Sequence, residues 1–446
     1  MAPSGSRRVG LAGLVALIYL VVSGGPYGFE ETVRDAGAGL AVILCLVIPL
    51  TVSLPTALMA AELGGLMPVE GGFYAWVKEA CGPFAGFLEA YLTLLYTAAD
   101  MALYPVLFGA YLSYLWPVSA HGQTGVALAM VWAAALVNLW GARPVGRVSL
   151  ALLVLVLAPF GVMAVRGFGC VAQAVPAMLG FPARHPWSAL GQGLTVAIWN
   201  FSGWENLSTI GGEIENPAKT YPRALLITVP LVAAGYLVPL LIGLCVSPSS
   251  AAWRPGYFTE VGRRIGGPGL ATALALGGAV GAWAVFQAAT LWVSRMPFVL
   301  SRDGYLPPLW GRVWRRTETP AAAVLLSSLV FSLLVPLGFG ALVLLDVFFY
   351  MAALVLEMVA LLRLRRRYPD RSGRFMIGGG ALGLWLAALL PILTWLSAFV
   401  MALLGGERRV EFAVAVALAL LSWPIYRLLA PRSAAPVAQD RRRPFP

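Results

Sequence analysis

Glu89, Thr93, Tyr96, Asp100 and Tyr104 recur at intervals of four, three, four and four inside a largely apolar stretch. On a 3.6-residue period they share one helix face, with the aspartate near the middle of the run. A second carboxylate, Glu205, breaks another hydrophobic run. Residues 189–198 carry no charge, and Asn200, Ser202, Gly203 and Glu205 then follow inside WNFSGWENLSTIGGEIENP at 199–217. A third interruption, SGGPYGFEE at 23–31, joins paired glycines to Pro26, Glu30 and Glu31. Separated acids accompanied by tyrosines suit holding cations or moving protons, because a desolvated ammonium needs a carboxylate partner and is attracted to an aromatic face. Metal or nucleophilic chemistry is not indicated, and no cofactor is expected. His121 and His185 fall in expected outer loops, and Cys45, Cys81, Cys170 and Cys245 are scattered without CxxC spacing, which reads as neither a metal site nor a disulfide framework.

The elements that must position these residues are membrane helices. The chain is 59% hydrophobic and only 11% charged, with a mean hydropathy of +0.80, which excludes an ordinary soluble domain. Runs of about twenty apolar residues predict helices at 9–34 (broken), 37–62, 82–116, 123–141, 146–166 and 188–213 (broken). The second half adds 221–247, 268–300, 320–337, 341–362, 376–404 and 410–430. The expected fold is therefore an all-α integral membrane protein of about twelve spans. The polar, aromatic MPVEGGFYAWVKEACGP reads as a short helix lying against the cytoplasmic side of the bundle. The first apolar run flows into GGPYG without a small-residue cleavage site, so it is expected to stay with the protein.

The net charge of +11 raises nucleic acid as a partner, and its distribution decides against it. With a cytoplasmic N-terminus, 23 of the 31 Lys and Arg fall on the inner side and 8 on the outer. That asymmetry is the positive-inside rule. It predicts a multi-pass protein of the cell (plasma or inner) membrane with both termini cytoplasmic and the lipid bilayer as its surroundings.

Helix one runs outward and helix six inward, so the breaks at 24–28 and 200–205 take equivalent places in two inverted five-helix units, 9–168 and 188–363. Two helices in 376–430 follow, and the tails 1–8 and 431–446 are expected to be disordered. Irregular backbone at mid-membrane depth survives only against protein or a water-filled cavity. Two interrupted helices in corresponding halves point to a transporter's binding site. Two further faces join the candidates: Trp283, Gln287, Thr290 and Ser294 on helix eight, and Asp346, Tyr350 and Glu357 on helix ten. Each acid also has a bland reading. Asp100 and the helix-eight face could be interhelical glue, Glu357 could pair with an arginine of the following LLRLRRRYPDR, and Glu30 and Glu31 could face an outer vestibule.

Several of these stretches together resemble the amino acid, polyamine and organocation transporter superfamily. GWENLSTIGGEIENPAKTYPRAL resembles its sixth-helix signature, SRMPFVLSRDGYLP the exit of helix eight, and AELGGLMPVEGGFYAWV the segment after helix two. More narrowly, GGPYGFEETV, DMALYPVLF, LLDVFFYMAALVLEMVALLRLRRRYP and EIENPAKTYPRAL are similar to polyamine uptake transporters of plants and protozoa. The resemblance covers roughly residues 10 to 375 and implies a LeuT-like 5+5 inverted repeat working by alternating access, with the ligand between broken helices one and six. Amino-acid-carrying relatives typically hold a substrate carboxylate on a GSGI-like turn; here Pro26 removes a donor and Glu205 adds a negative charge, which suits an ammonium. SGRFMIGGG lacks the prolines usual before helix eleven.

The expected activity is import of a small cationic solute such as putrescine or spermidine, coupled to H+. The alternatives are a cationic or neutral amino-acid carrier and a ligand sensor without transport. Substrate contacts are expected from Ser23, Gly24, Gly25, Tyr27, Glu30, Asp100, Tyr104, Asn200, Trp204 and Glu205. Coupling or gating is expected from Glu205, Asp100, Glu357, Gln287 and Thr290.

Overall fold

The computed structural model describes residues 9–69, 71–139, 145–174, 176, 187–293, 295–311, 321–369, 375–406 and 408–430. The tails expected to be disordered, 1–8 and 431–446, and His185 lie outside the described residues. Among the described residues the regular elements are helical, and extended pairing is limited to an isolated bridge between Val9 and Ile214.

The first apolar run forms α1 (Leu11–Val22) and stops at the glycines. Gly24 and Gly25 have φ of 58° and 102°, where side chains are disfavoured. A Cβ there would stand 2.8 Å from Val285 and 2.7 Å from Val156 respectively, so the break is also packed too closely for any larger residue. The chain resumes as α2 (Glu30–Ala36) and turns into α3 (Ala38–Leu66). A π-helical turn at Pro49–Ser53 interrupts α3, since Pro49 lacks the amide that would continue the hydrogen-bond ladder. That turn presents the Ser53 hydroxyl to the Phe201 carbonyl at 3.1 Å, bracing the second break.

The short helix expected against the bundle is α4 (Gly72–Cys81), and α5 (Pro83–Leu115) begins on a proline at its first position. Then come α6 (Ala120–Leu139), α7 (Val145–Gly167) and a 3-10 turn at Phe168–Ala174. The sixth apolar run is regular only as α8 (Trp187–Asn200); beyond a non-helical stretch it continues as a 3-10 segment, Asn206–Glu213. The remaining helices are α9 (Pro217–Val246), α10 (Phe258–Val293, kinked at Gly267), α11 (Arg295–Arg302), α12 (Ala321–Leu334), α13 (Phe339–Arg367), α14 (Gly380–Gly405) and α15 (Arg409–Leu429). Among the described residues nine helices are long and apolar enough to cross a membrane, and α1 and the run Ala321–Leu337 are shorter apolar helices.

Helix α5 is the hub, packing most extensively against α13 and α10, while α1 lies on α9 and α8 is clasped by α14 and α2. The bundle turns apolar side chains such as Val165, Leu333, Leu382, Leu420 and Leu428 outward and keeps Glu30, Glu89, Glu205, Asp346 and Glu357 inside. Charge inside and hydrocarbon outside is the arrangement a lipid environment demands.

The two ends of the bundle differ. At one, the basic end, Arg365 pairs with Glu62 (3.3 Å), Arg367 with Glu79 (3.0 Å) and Lys78 with Asp303 (2.5 Å). At the other, Cys170 and Cys245 form a disulfide, with Cα atoms 6.0 Å apart. This corrects the reading of the cysteines as unconnected. They are 75 residues apart in sequence, and only the packing of α9 against the turn after α7 brings them together.

Candidate functional site

Helices α1 and α8 both end at one cavity, a partly open space of about 480 Å³ that includes the part continuous with solvent. The ends they present, Ser23 and Asn200, are carboxyl ends, where helix dipoles are negative. Three glycine amides at the breaks already have acceptors. Gly24 N–H donates to the Leu20 carbonyl (3.0 Å), Gly28 N–H to Glu30 Oε2 (2.7 Å) and Gly203 N–H to the Tyr350 hydroxyl (3.0 Å). Both breaks therefore turn the negative end of a helix toward the cavity.

The walls continue the same chemistry. Asp100 and Asp346 line the cavity, and among the described residues its lining contains no Lys or Arg. Asp100 accepts hydrogen bonds from the Tyr104 hydroxyl (3.0 Å) and from Trp199 Nε1 (3.0 Å). The rings of Tyr96, Tyr104, Trp199, Tyr236 and Tyr350 make up much of the rest. Two acids, carbonyl ends and aromatic faces without a balancing base select for a cation.

The acids are organised by two helices. Toward the basic end, α5 carries Asp100, Tyr96 and Glu89 in that order, and α13 carries Asp346, Tyr350 and Glu357 at the same spacings of four and seven residues. The helices run in opposite directions, so the sets meet tier by tier. Asp100 and Asp346 act on each other electrostatically, Tyr96 and Tyr350 stand edge to face with ring centroids 5.4 Å apart, and Glu89 acts on Glu357. Seven residues of helix separate the tyrosine and glutamate tiers by about 10 Å. Glu205 joins at the tyrosine tier, accepting the Tyr350 hydroxyl at 2.9 Å, and Tyr96 donates to Asn206 Oδ1 at 3.2 Å.

Of the residues expected at the site, Ser23, Gly24, Asp100, Tyr104 and Asn200 line the cavity. Gly25 stands just behind, its carbonyl accepting the Ser23 hydroxyl at 3.1 Å. Three others lie elsewhere. Tyr27 packs against Tyr111 and Phe160 and donates to the Leu274 carbonyl (3.0 Å), because the positive-φ glycines on either side turn it away. Glu30 is fully buried, held by Tyr111 and the Gly28 amide, which excludes both a cavity wall and a solvated vestibule. Trp204 is 1% exposed and donates to the Phe201 carbonyl at 2.7 Å, so its ring is core. Glu205, also 1% exposed, sits one layer behind the wall, reached through Tyr350.

Trp283, Gln287 and Thr290 of the helix-eight face are not among the residues lining the cavity either, and Ser294 lies outside the described residues. Gln287 accepts from Asn138 of α6, and the Thr290 hydroxyl bonds the Phe286 carbonyl of its own helix at 2.7 Å. Glu357 stands without an arginine partner among the hydrogen bonds and ion pairs of the described residues; Arg365 and Arg367 reach Glu62 and Glu79 instead. Wall residues that the sequence did not place among the substrate contacts include Tyr96, Trp199, Asn206, Tyr236, Asp346 and Tyr350. Asp346 had a signal, its shared face with Tyr350, while Tyr236 is a lone polar tip in an apolar helix and only packing identifies it.

Long apolar helices, two of them interrupted around a polar chamber, define a membrane permease rather than an enzyme. A profile of the amino acid permease family matches residues 11–422, and the chain belongs to that family. It is similar to polyamine transporter PUT1 of Oryza sativa subsp. japonica, 35% identical over 433 residues, covering 96% of this chain and 80% of the relative. It is also similar to polyamine transporter RMV1 of Arabidopsis thaliana, 33% identical over 392 residues, 86% of this chain and 79% of the relative. An uncharacterized transporter of Mycobacterium tuberculosis is 29% identical over 323 residues, 72% of this chain and 71% of that one.

Proposed function

We propose that this permease is a secondary active importer of small organic polycations of the putrescine and spermidine kind, driven by protons. The observation that carries the reading is the cavity itself: Asp100 and Asp346 face one chamber with no Lys or Arg among the described residues of its lining, and both interrupted helices end on it with their negative carboxyl ends. A diamine brings two ammonium groups, and each needs its own acidic partner to leave water. Asp100 takes one; Asp346, with Glu205 behind Tyr350, takes the other. The names of the rice and Arabidopsis relatives support this substrate class.

In this reading broken helix one (α1 with α2), broken helix six (α8 with the segment after it) and α12 complete a set of twelve spans built as a 5+5 inverted repeat. The basic end is cytoplasmic, as the excess of Lys and Arg there requires. Rocking of α1, α3, α8 and α9 against the remaining helices opens the cavity to each side in turn. The test is uptake of labelled putrescine, spermidine, arginine and leucine into proteoliposomes, with and without an imposed pH gradient. Gradient-driven uptake of the two polyamines is expected. Uptake of arginine or leucine with no competition by putrescine overturns the substrate assignment, and tight putrescine binding without flux makes the protein a sensor.

A further inference from the structure

Beneath the cavity, toward the basic end, Glu89 of α5 and Glu357 of α13 form a buried acidic layer that the cation site does not use. Glu89 is 0% and Glu357 3% exposed. Among the described residues neither carboxyl oxygen of Glu89 has a hydrogen-bond partner, nor does Oε2 of Glu357. The Thr93 hydroxyl beside Glu89 is spent on that residue's own backbone carbonyl, at 2.8 Å. The charged groups acting on the pair are one another and Glu205. Tyr96 of α5, Tyr350 of α13 and Tyr221 of α9 are the other titratable side chains in range. The nearby bases are engaged elsewhere, Arg365 with Glu62 and Lys78 with Asp303.

Three carboxylates cannot all be ionised in a dry interior without a base. A proton is the cation small enough for a layer packed this tightly. We propose that Glu89 and Glu357 are the proton-carrying site of the transporter, one tier below the cargo, and that the Tyr350–Glu205 hydrogen bond links the two. The proton enters with the cargo, rests on a carboxyl oxygen of the pair, and leaves to water when the helices part at the basic end, restoring the carboxylate. Glu205 accepts the Tyr350 hydroxyl behind the cavity wall and acts electrostatically on the pair below, so an ammonium held near Tyr350 offsets that charge and eases proton release from the layer, which orders release. The inference rests on the proton-driven reading given above and adds the location of the proton.

The experiment uses the full-length protein in proteoliposomes holding a pH-sensitive dye. Labelled putrescine is followed in two modes, uptake driven by an acidic exterior and putrescine–putrescine exchange without a gradient. Glu89→Gln and Glu357→Gln should each lose gradient stimulation and the accompanying lumenal acidification while still exchanging putrescine. Glu89→Asp and Glu357→Asp, which keep a titratable group, should retain the stimulation and cover the case in which an amide variant fails to fold. Gradient-driven uptake and acidification unchanged in both amide variants overturn this proposal alone. Loss of exchange together with stimulation, in protein that melts like the wild type, also overturns it and moves the pair to the cargo path. A wild type that exchanges putrescine but ignores the gradient overturns proton coupling itself.

Discussion

Tyr350 of α13 donates its hydroxyl to Glu205 at 2.9 Å while accepting the amide of Gly203 at 3.0 Å, so one side chain ties the second helix break to the wall opposite. The bond crosses from an element expected to move to one expected to stay. It also places the Glu205 carboxylate behind an aromatic ring that itself lines the cavity.

Glu205→Gln should therefore nearly abolish putrescine uptake while leaving the amount of folded protein unchanged, because the amide oxygen still accepts from Tyr350 and only the charge is lost. Tyr350→Phe should lower uptake less steeply. Hydrogen bonds to charged groups contribute about 1.5–3 kcal/mol, which corresponds to roughly ten- to a hundredfold. Initial rates per molecule in proteoliposomes measure both. Full activity in Glu205→Gln removes this carboxylate from the mechanism.

Asp100→Asn separates a cargo partner from a structural acceptor. Its oxygen can still take the Tyr104 and Trp199 hydrogen bonds, so folding should survive. The lost charge should weaken apparent putrescine affinity by about tenfold or more, the expected cost of a charge-assisted contact in a desolvated site. If protein abundance collapses while transport per molecule is retained, the aspartate serves the packing of α5 and not the cargo.

Gly25→Ala tests whether the first break is held by backbone geometry. Its φ of 102° lies where an L side chain is strained, at about 1–2 kcal/mol, and the new Cβ would meet the Val156 side chain at 2.7 Å. The variant should melt at a lower temperature in detergent and transport more slowly, since the carboxyl end of α1 must shift out of the cavity wall. An unchanged melting temperature with wild-type uptake would mean that the break tolerates a different path.

Much of the helical layout was legible because it depends on local quantities. Apolar length located α5, α7 and α9 to within a few residues, and polar interruptions located both breaks. Helix periodicity also put Asp100, Tyr96 and Glu89 on one face and Asp346, Tyr350 and Glu357 on another. What periodicity could not say is that the two faces oppose each other in register, since that depends on how antiparallel helices distant in sequence slide together. The rings of Tyr27 and Trp204 lie off the cavity for a related reason. Residue type beside a break says that a ring is available, while the φ angles of the flanking glycines decide which way it turns. The disulfide lay further still from any local signal.

The link between Cys170 and Cys245 closes a loop across 75 residues and staples the end of α9 to the turn after α7. Cross-links of this kind typically contribute about 2–4 kcal/mol, chiefly by restricting the unfolded chain. Cys170→Ser, Cys245→Ser and the double variant should all melt at the same lowered temperature, because each removes the same single constraint. Reductant should lower the melting temperature of the wild type and leave the double variant unmoved, which distinguishes a lost cross-link from a packing defect at either serine. If the bridge also limits how far α9 can swing, the double variant should exchange putrescine faster than the wild type at temperatures where both remain folded. Identical melting curves for wild type and double variant, with thiol-reactive label entering both positions before reduction, would mean that the two sulfurs are not joined.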